Sequence, residues 1–252
     1  MAKRFENKVV LVTGAASGIG RETALAFGRE GASLVIVDRS EPGCQQTAEL
    51  LRQVGADREI LIEDVSSSGA AESMVAAAIK RFGWLDIAFN NCGITGPNVD
   101  ICEYSDADWS RVMEVNVNAV FRAMKAQIAQ MRGQGGGVIV NTASVAGQVA
   151  MKLSSAYVAS KHALMGLTRA AALDAIGDGI RINAVCPGII DTPLIERGKS
   201  VPGLIETIVS GQPLGRLGLA GEVARCVLFL ASEDASLMVG HGMMVDGGTT
   251  IV

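Results

Sequence analysis

Tyr157 and Lys161 lie four residues apart in the run Ser154-Ser155-Ala156-Tyr157-Val158-Ala159-Ser160-Lys161. On a helix over 154–176, that spacing sets a phenol and an ammonium on one face. A free tyrosine has a pKa of about 10 and is roughly one part in a thousand ionised at neutral pH, so unaided it is a poor base. An adjacent cation favours the phenolate and makes the group usable. The chemistry within reach is proton exchange with an alcohol while hydride leaves or joins the carbon that bears it. Taken alone, Tyr-x-x-x-Lys more often describes a half-buried aromatic and a solvated cation. The rest of the chain has to decide.

Upstream, Thr13-Gly14-Ala15-Ala16-Ser17-Gly18-Ile19-Gly20 follows a strand-like run and opens a helical pattern, the context that gives a glycine turn meaning. Gly14, Gly18 and Gly20 permit a tight turn and close approach of backbone to a pyrophosphate, with the helix N-terminus facing the negative charge. Asp38 ends the second strand, 18 residues after Gly20. Its carboxylate suits an adenosine ribose diol and repels a 2′-phosphate, so NAD is favoured over NADP. Arg39 argues the other way, since a guanidinium pairs with that phosphate. Against it, the residue before Gly18 is Ser17 and not a basic side chain.

The elements that would position these residues are legible as continuous apolar runs: Val9–Val12, Leu34–Val37, Ile60–Ile62, Leu85–Phe89, Val138–Val140, Ile182–Val185 and Met243–Val245. Their lack of alternation implies strands buried on both faces. Between them run helical patterns over about 18–30, 41–54, 68–82, 105–131, 154–176 and 220–231. Such alternation predicts a doubly wound α/β Rossmann fold, a seven-stranded parallel sheet with helices on both faces. The expectation is one domain over residues 1–252. Gly133–Gly137 reads as a helix stop and turn. Residues 191–217, with Pro193, Pro202 and Pro213 and apolar Leu194, Ile195, Leu204, Ile205 and Ile208, read as a substrate lid, or else as an ordinary amphipathic surface helix.

Composition narrows the function classes. A net charge of −4 supplies no basic field for nucleic acid or an anionic membrane, and no apolar run reaches the roughly 18–20 residues of a span. The hydrophobic share of 49% with only 4% aromatics suits closely packed helices and sheet rich in alanine and glycine. The start, Met1 to Lys8, lacks a secretory pattern and reads as cytoplasmic. Cysteines at 44, 92, 102, 186 and 226 are odd in number and contain no Cys-x-x-Cys, and His162 and His241 form no ligand cluster. Free thiols, structural histidines and no metal site are expected.

At this point the chain resembles the short-chain dehydrogenase/reductase family, from Lys8 to about Thr249. Thr13-Gly14-x-x-x-Gly18-Ile19-Gly20 is similar to its cofactor turn, in which Ser17 also lies, and Asp64-Val65 to its adenine contact. Asn90-Asn91-Cys92-Gly93 resembles its Asn-Asn-Ala-Gly run, and Cys186-Pro187-Gly188 with Thr192 its nicotinamide-side segment. Asn116, Ser144, Tyr157 and Lys161 fall on its catalytic tetrad. The departures are Cys92, where alanine is usual, and Cys186, where asparagine is common. By this resemblance Tyr157 is the acid/base and Lys161 lowers its pKa and holds the nicotinamide ribose. Ser144 then hydrogen-bonds the substrate oxygen, and Asn116 holds a water that links Lys161 to solvent. A strand-end turn serine and a helix-interior amide are the plainer readings of Ser144 and Asn116.

The resemblance also implies a homotetramer. Small residues such as Ala163, Ala170, Ala171 and Ala172 would let partner helices approach, or serve packing within the protomer. The segments expected to line the pocket, Ser144–Met151, Ile94–Pro97, Ile189, Ile190, Leu194 and Ile195, are mostly apolar, with Gln148 as a polar contact. They point to a hydrophobic or cyclic secondary alcohol or its ketone. Alternatives are a 3-oxoacyl carrier-protein reductase, for which no basic docking cluster is evident, a nucleotide-linked methyltransferase, and a regulatory protein that binds NAD without turnover.

Overall fold

The sequences VVLVT and SLVIVD carry an apolar residue at nearly every position, and each becomes a central strand with both faces covered. Successive side chains alternate between faces. Val10, Val12, Leu34 and Ile36 join a core that includes Phe27, Leu51 and Val227, whereas Leu11, Val35 and Val37 join a second core with Met74, Ala123 and Leu164. The structure, a computed structural model, describes residues 3–195 and 203–252.

In chain order the elements are β1 (Val9–Thr13), α1 (Gly18–Arg29), β2 (Ser33–Asp38), α2 (Glu41–Gln53), β3 (Arg58–Ile62), α3 (Ala70–Phe82), β4 (Ile87–Asn90), α4 (Asp106–Met113), a π-helical segment (Glu114–Asn118) and α5 (Ala119–Gln134). Then follow β5 (Gly137–Thr142), α6 (Ser155–Ala175), β6 (Ile180–Pro187), β7 (Ile190–Asp191), α7 (Leu204–Ser210), β8 (Gly218–Leu219), α8 (Ala220–Ala231) and β9 (Gly242–Val245). The main sheet has seven parallel strands in the order β3-β2-β1-β4-β5-β6-β9. The chain winds outward from β1 to β3, then returns to place β4 on the other side of β1. The crevice at their carboxyl ends is where such folds receive ligands.

The doubly wound α/β sheet is as the sequence predicts, with four local differences. The helix expected over 105–131 is α4 and α5 joined through Glu114–Asn118, an i→i+5 segment. The edge strands β3 and β9 are mostly half-buried rather than covered on both faces, because each has a single neighbour. The fourth strand begins at Ile87; the Leu85 peptide is held instead by the Gln134 side chain, at 3.2 and 3.0 Å. The stretch 191–217 is bracketed by an unforeseen two-stranded parallel sheet, where Ile190 pairs with Gly218 and Asp191 with Leu219. Of that stretch, 196–202 lie outside the described residues, and α7 occupies Leu204–Ser210. No helix among the described residues is long and apolar enough to cross a membrane.

Candidate active site

Thr13, the last residue of β1, ties the glycine turn to β4. Its Oγ1 accepts hydrogen bonds from the backbone amides of Asn91 at 2.9 Å and Cys92 at 3.2 Å, and Asn91 Nδ2 donates to the Thr13 carbonyl at 3.1 Å. The Asn91 amide packs so tightly on the turn that a Cβ at Gly14 would lie 2.7 Å from Nδ2, and one at Gly20 2.8 Å away. Gly14 and Gly18 also sit at φ +68° and +53°, in the left-handed region. Ser17 is the exposed N-cap of α1, yet its side chain makes no capping bond, so the N-cap leaves the backbone amides of that helix start unpaired by its own hydroxyl. Ile19 turns inward against the α1 core.

Two residues that no sequence motif marks brace this turn from behind. Arg21 donates to the Ala16 carbonyl and, through Nε, to Thr47 Oγ1 at 3.0 Å, while Thr47 donates to the Ala15 carbonyl at 2.8 Å. Their role depends on α2 folding back against α1; an arginine directly after the turn is the one hint in the sequence.

On the adenosine side, Asp38 ends β2 and accepts from the Ala16 amide at 3.2 Å and the Ser40 amide at 2.9 Å. A carboxylate offers about four acceptor positions, so capacity remains. Arg39 is exposed, its Nη1 3.9 Å from Asp64. Asp64 accepts from the Ser66 hydroxyl at 2.6 Å and its amide at 2.9 Å, and these bonds, with a smaller pull from Arg39, hold its carboxyl below the usual range. Val65 packs against the core under α3 and α5.

The other wall comes from β5, the π-helical segment and α6. Ser144 follows β5 in extended backbone; its hydroxyl accepts from the Ala146 amide at 3.1 Å and is near enough to the Tyr157 phenol to lower its pKa. The hydroxyl thus serves the turn and also faces the phenol. Burial pushes the Tyr157 phenol above its ordinary value and Ser144 draws it partly back. Lys161 lies 5.6 Å from the centre of the Tyr157 ring and donates to the Thr142 carbonyl at 2.8 Å. Burial lowers its ammonium from 10.5 to about 8, opposed by the Cys186 thiol. The lowering of the phenol expected from the lysine is not found: burial raises it, and the opposing pull comes from Ser144.

Asn116 sits fully buried in the π-helical segment. Its Oδ1 accepts from the Ile94 amide at 2.9 Å, while Nδ2 donates to the Ile94 carbonyl at 2.8 Å and to Ser160 Oγ at 3.0 Å. Ser160 donates in turn to the Tyr157 carbonyl at 2.7 Å. The side chain pins the loop after β4 to α6. Below it lies a buried amide cluster that sequence reading did not find: Asn90 and Gln127 exchange bonds of 3.0 and 2.8 Å, and Asn141 links Asn90 to Thr168, each at 3.0 Å.

Pro187 closes β6, and Gly188 passes so near β9 that a Cβ would lie 2.9 Å from Asp246 Cα. Thr192 reaches back toward α1, within 3.3 Å of where Gly18 would carry a Cβ. The segment after β6 thus meets the start of α1, and the residues singled out by sequence gather at the carboxyl end of the sheet. Around the opening, Val149, Met151, Leu153 and Leu194 expose apolar side chains, and Leu153 holds φ +60°. Gln148 lies in an open cleft with Arg169 and His241. A cavity of about 280 Å³ lies beyond Ile189 and Ile190, lined by Gln212 and Met244 and by none of Asn116, Ser144, Tyr157 or Lys161. All five cysteines are free, and no cluster among the described residues has the ligands to hold a metal ion.

The family model described as enoyl-(acyl carrier protein) reductase matches residues 14–250. A cyclohexanol dehydrogenase from Acinetobacter sp. (strain SE19) is 42% identical over 250 residues, covering 99% of this chain and 98% of that protein. The crystal structure of a levodione reductase superposes with a TM-score of 0.96 at 36% identity, covering 99% of this chain and 100% of the other. That of an NAD+-bound xylitol dehydrogenase gives 0.93 at 32% identity, covering 98% and 100%. With the glycine turn, the sheet order and these full-length matches in agreement, the chain belongs to the short-chain dehydrogenase/reductase family.

Proposed function

We propose that this protein interconverts a secondary alcohol and its ketone, with NAD(H) as the hydride carrier and an apolar, cyclic compound as substrate. The observation that carries the reading is the Ser144–Tyr157–Lys161 cluster, built beside a helix N-terminus left open by its own N-cap. The likeness to proteins named for cyclohexanol and levodione, and to an NAD+-bound structure, supports the ring substrate and the cofactor.

The residues present fit the dinucleotide. The turn at Gly14 and Gly20 packs against Asn91 too closely for any Cβ, so it presents bare backbone, Ser17 keeps its hydroxyl free of capping, and Asp38 has acceptor capacity for a ribose diol. Gly14, Ser17, Gly18, Ile19 and Gly20 would hold the pyrophosphate, and Asp64 and Val65 the adenine. Asn91, Tyr157 and Lys161 would hold the second ribose, and Pro187, Gly188 and Thr192 the nicotinamide. When bound, the nicotinamide accepts or returns the hydride.

Tyr157 takes the proton from the substrate hydroxyl in oxidation and returns it in reduction. The Ser144 hydroxyl, beside the phenol, orients the substrate oxygen and steadies charge that develops there. Lys161 keeps a positive charge beneath the phenol, stabilising the phenolate as the proton departs. Asn116 holds the loop at Ile94 and the helix that carries Tyr157 in register, and a water beside it would pass protons between Lys161 and solvent. The stretch 191–217 acts as a lid hinged on the β7–β8 pair, over one catalytic domain. The protein works as a cytoplasmic homotetramer.

The test is a panel of cyclic and linear alcohols and ketones with NAD(H) and NADP(H), followed at the nicotinamide absorbance. Turnover of cyclic secondary alcohols with NAD is expected. Tight NAD binding with no turnover across the panel would identify a regulatory protein instead, and preference for carrier-bound 3-oxoacyl groups with NADPH would identify the carrier-protein reductase.

A further inference from the structure

Lys161 is only 3% exposed, and a buried cation is tolerated only against well-placed acceptors. The backbone carbonyl of Thr142, at 2.8 Å, is such an acceptor. The peptide that presents it has two handles. Its N–H, that of Ala143, donates to the Val185 carbonyl at 2.8 Å, and the Thr142 hydroxyl donates to Asn91 Oδ1 at 3.2 Å. Asn91 is in turn fixed to Thr13 at 3.1 Å through Nδ2, the atom packed on Gly14 and Gly20. With the β6 handle alone, the peptide could rock about one hydrogen bond and change the direction of its carbonyl.

We infer that Thr142 is a positioning residue for Lys161, and that its hydroxyl, through Asn91 and Thr13, ties the lysine to the glycine turn. The inference rests on the catalytic reading of Tyr157 and Lys161 given above. It makes the cofactor turn and the proton-transfer group one mechanical unit, so displacement at Gly14 reaches the ammonium through Thr13, Asn91 and Thr142. The groups facing that ammonium are Tyr157 on its own helix and Cys186 on β6, while Gly93 and Asn116, from the loop after β4 and the π-helical segment, are uncharged.

Thr142→Val keeps shape and backbone carbonyl and removes only the hydroxyl donor; Thr142→Ser restores it. The kcat/KM–pH profile with NAD and one good alcohol is measured for both, beside Tyr157→Phe and thermal melts. A less well aimed carbonyl holds the ammonium less firmly, so its proton leaves at lower pH and the alkaline limb moves toward neutrality. The valine variant is expected to lose about tenfold in kcat and to shift that limb down by about half a pH unit, with serine restoring both. An unmoved profile in Thr142→Val, whether or not its melting temperature falls, overturns the inference, as does equal loss in valine and serine variants. Should Thr142→Val be insoluble, Thr142→Ala removes the same donor and is read by the same criteria. Failure of the catalytic reading itself would show separately, as retained turnover in Tyr157→Phe.

Discussion

Arg39 reaches past its chain neighbour to Asp64, with Nη1 3.9 Å from that carboxylate, while Asp38 is held by the amides of Ala16 and Ser40. The two residues that disagree about the cofactor are therefore placed differently. Asp38 is fixed at the end of β2 by two backbone bonds, whereas the exposed Arg39 ion pair is worth about 0–1 kcal/mol. Losing charge-assisted bonds to a ribose diol forfeits roughly 1.5–3 kcal/mol, before any repulsion of a 2′-phosphate. We expect kcat/KM with NAD to exceed that with NADP by at least about tenfold, or ~1.4 kcal/mol. Asp38→Ala, with Arg39 intact, should narrow or invert the ratio; a wild-type preference for NADP would refute the assignment.

Tyr157→Phe removes the phenol hydroxyl and leaves the ring beside Lys161. Turnover should fall by about a thousandfold or more while the Kd for NAD stays within a few-fold, since the lost group acts in proton transfer. Steady-state kinetics and fluorescence titration separate the two. A folded variant within about tenfold of wild-type turnover would remove Tyr157 from the mechanism.

Lys161 makes stability depend on pH with a definite sign. Its ammonium titrates at about 8 in the folded protein against 10.5 in the ordinary environment. Between these values the unfolded chain binds more protons, so stability rises with pH. The penalty for burying the charge is complete below about pH 8 and fades toward pH 10.5. Lys161→Met has no such dependence. Its stability relative to wild type should therefore decline by a few kcal/mol from pH 8 to 10; urea titrations giving a constant difference would show that Lys161 is not desolvated. The same substitution should weaken NAD binding.

Leu153 stands at φ +60° without the freedom of glycine and is 42% exposed, so packing returns little for the strain. Leu153→Gly should stabilise the protein by about 1 kcal/mol, which at this size raises Tm by roughly 2–4 °C. Leu153→Ala, equally strained, should not. A lower Tm for the glycine variant would mean that Leu153 is held by contacts stronger than its backbone cost.

The seven strands were legible because each is an apolar run between turn residues, and the glycine turn because its spacing is set by backbone geometry local in sequence. Tyr157 and Lys161 were legible for the same reason: four residues on a helix are neighbours whatever the rest of the fold does. What escaped was non-local. Arg21 and Thr47 matter only once α2 lies against α1, and the Asn90–Gln127–Asn141–Thr168 cluster needs two strands and two helices in place. The β7–β8 pair, two residues per strand, is too short to leave a periodicity. The direction of the Tyr157 shift was misjudged because spacing reports a neighbour's charge and says nothing of burial.

The i→i+5 segment at Glu114–Asn118 amounts to one residue more than a regular helix would hold. Each residue advances an α-helix by about 100°, so that extra residue works as a phase shifter between α4 and α5. Deleting a single residue there would join them into one continuous rod and rotate everything before the cut by over a quarter turn relative to everything after it. Asn116 could then no longer meet both Ile94 and Ser160, which it now bonds at 2.8–3.0 Å. In this part of the chain the number of residues is as much a functional constraint as their identity.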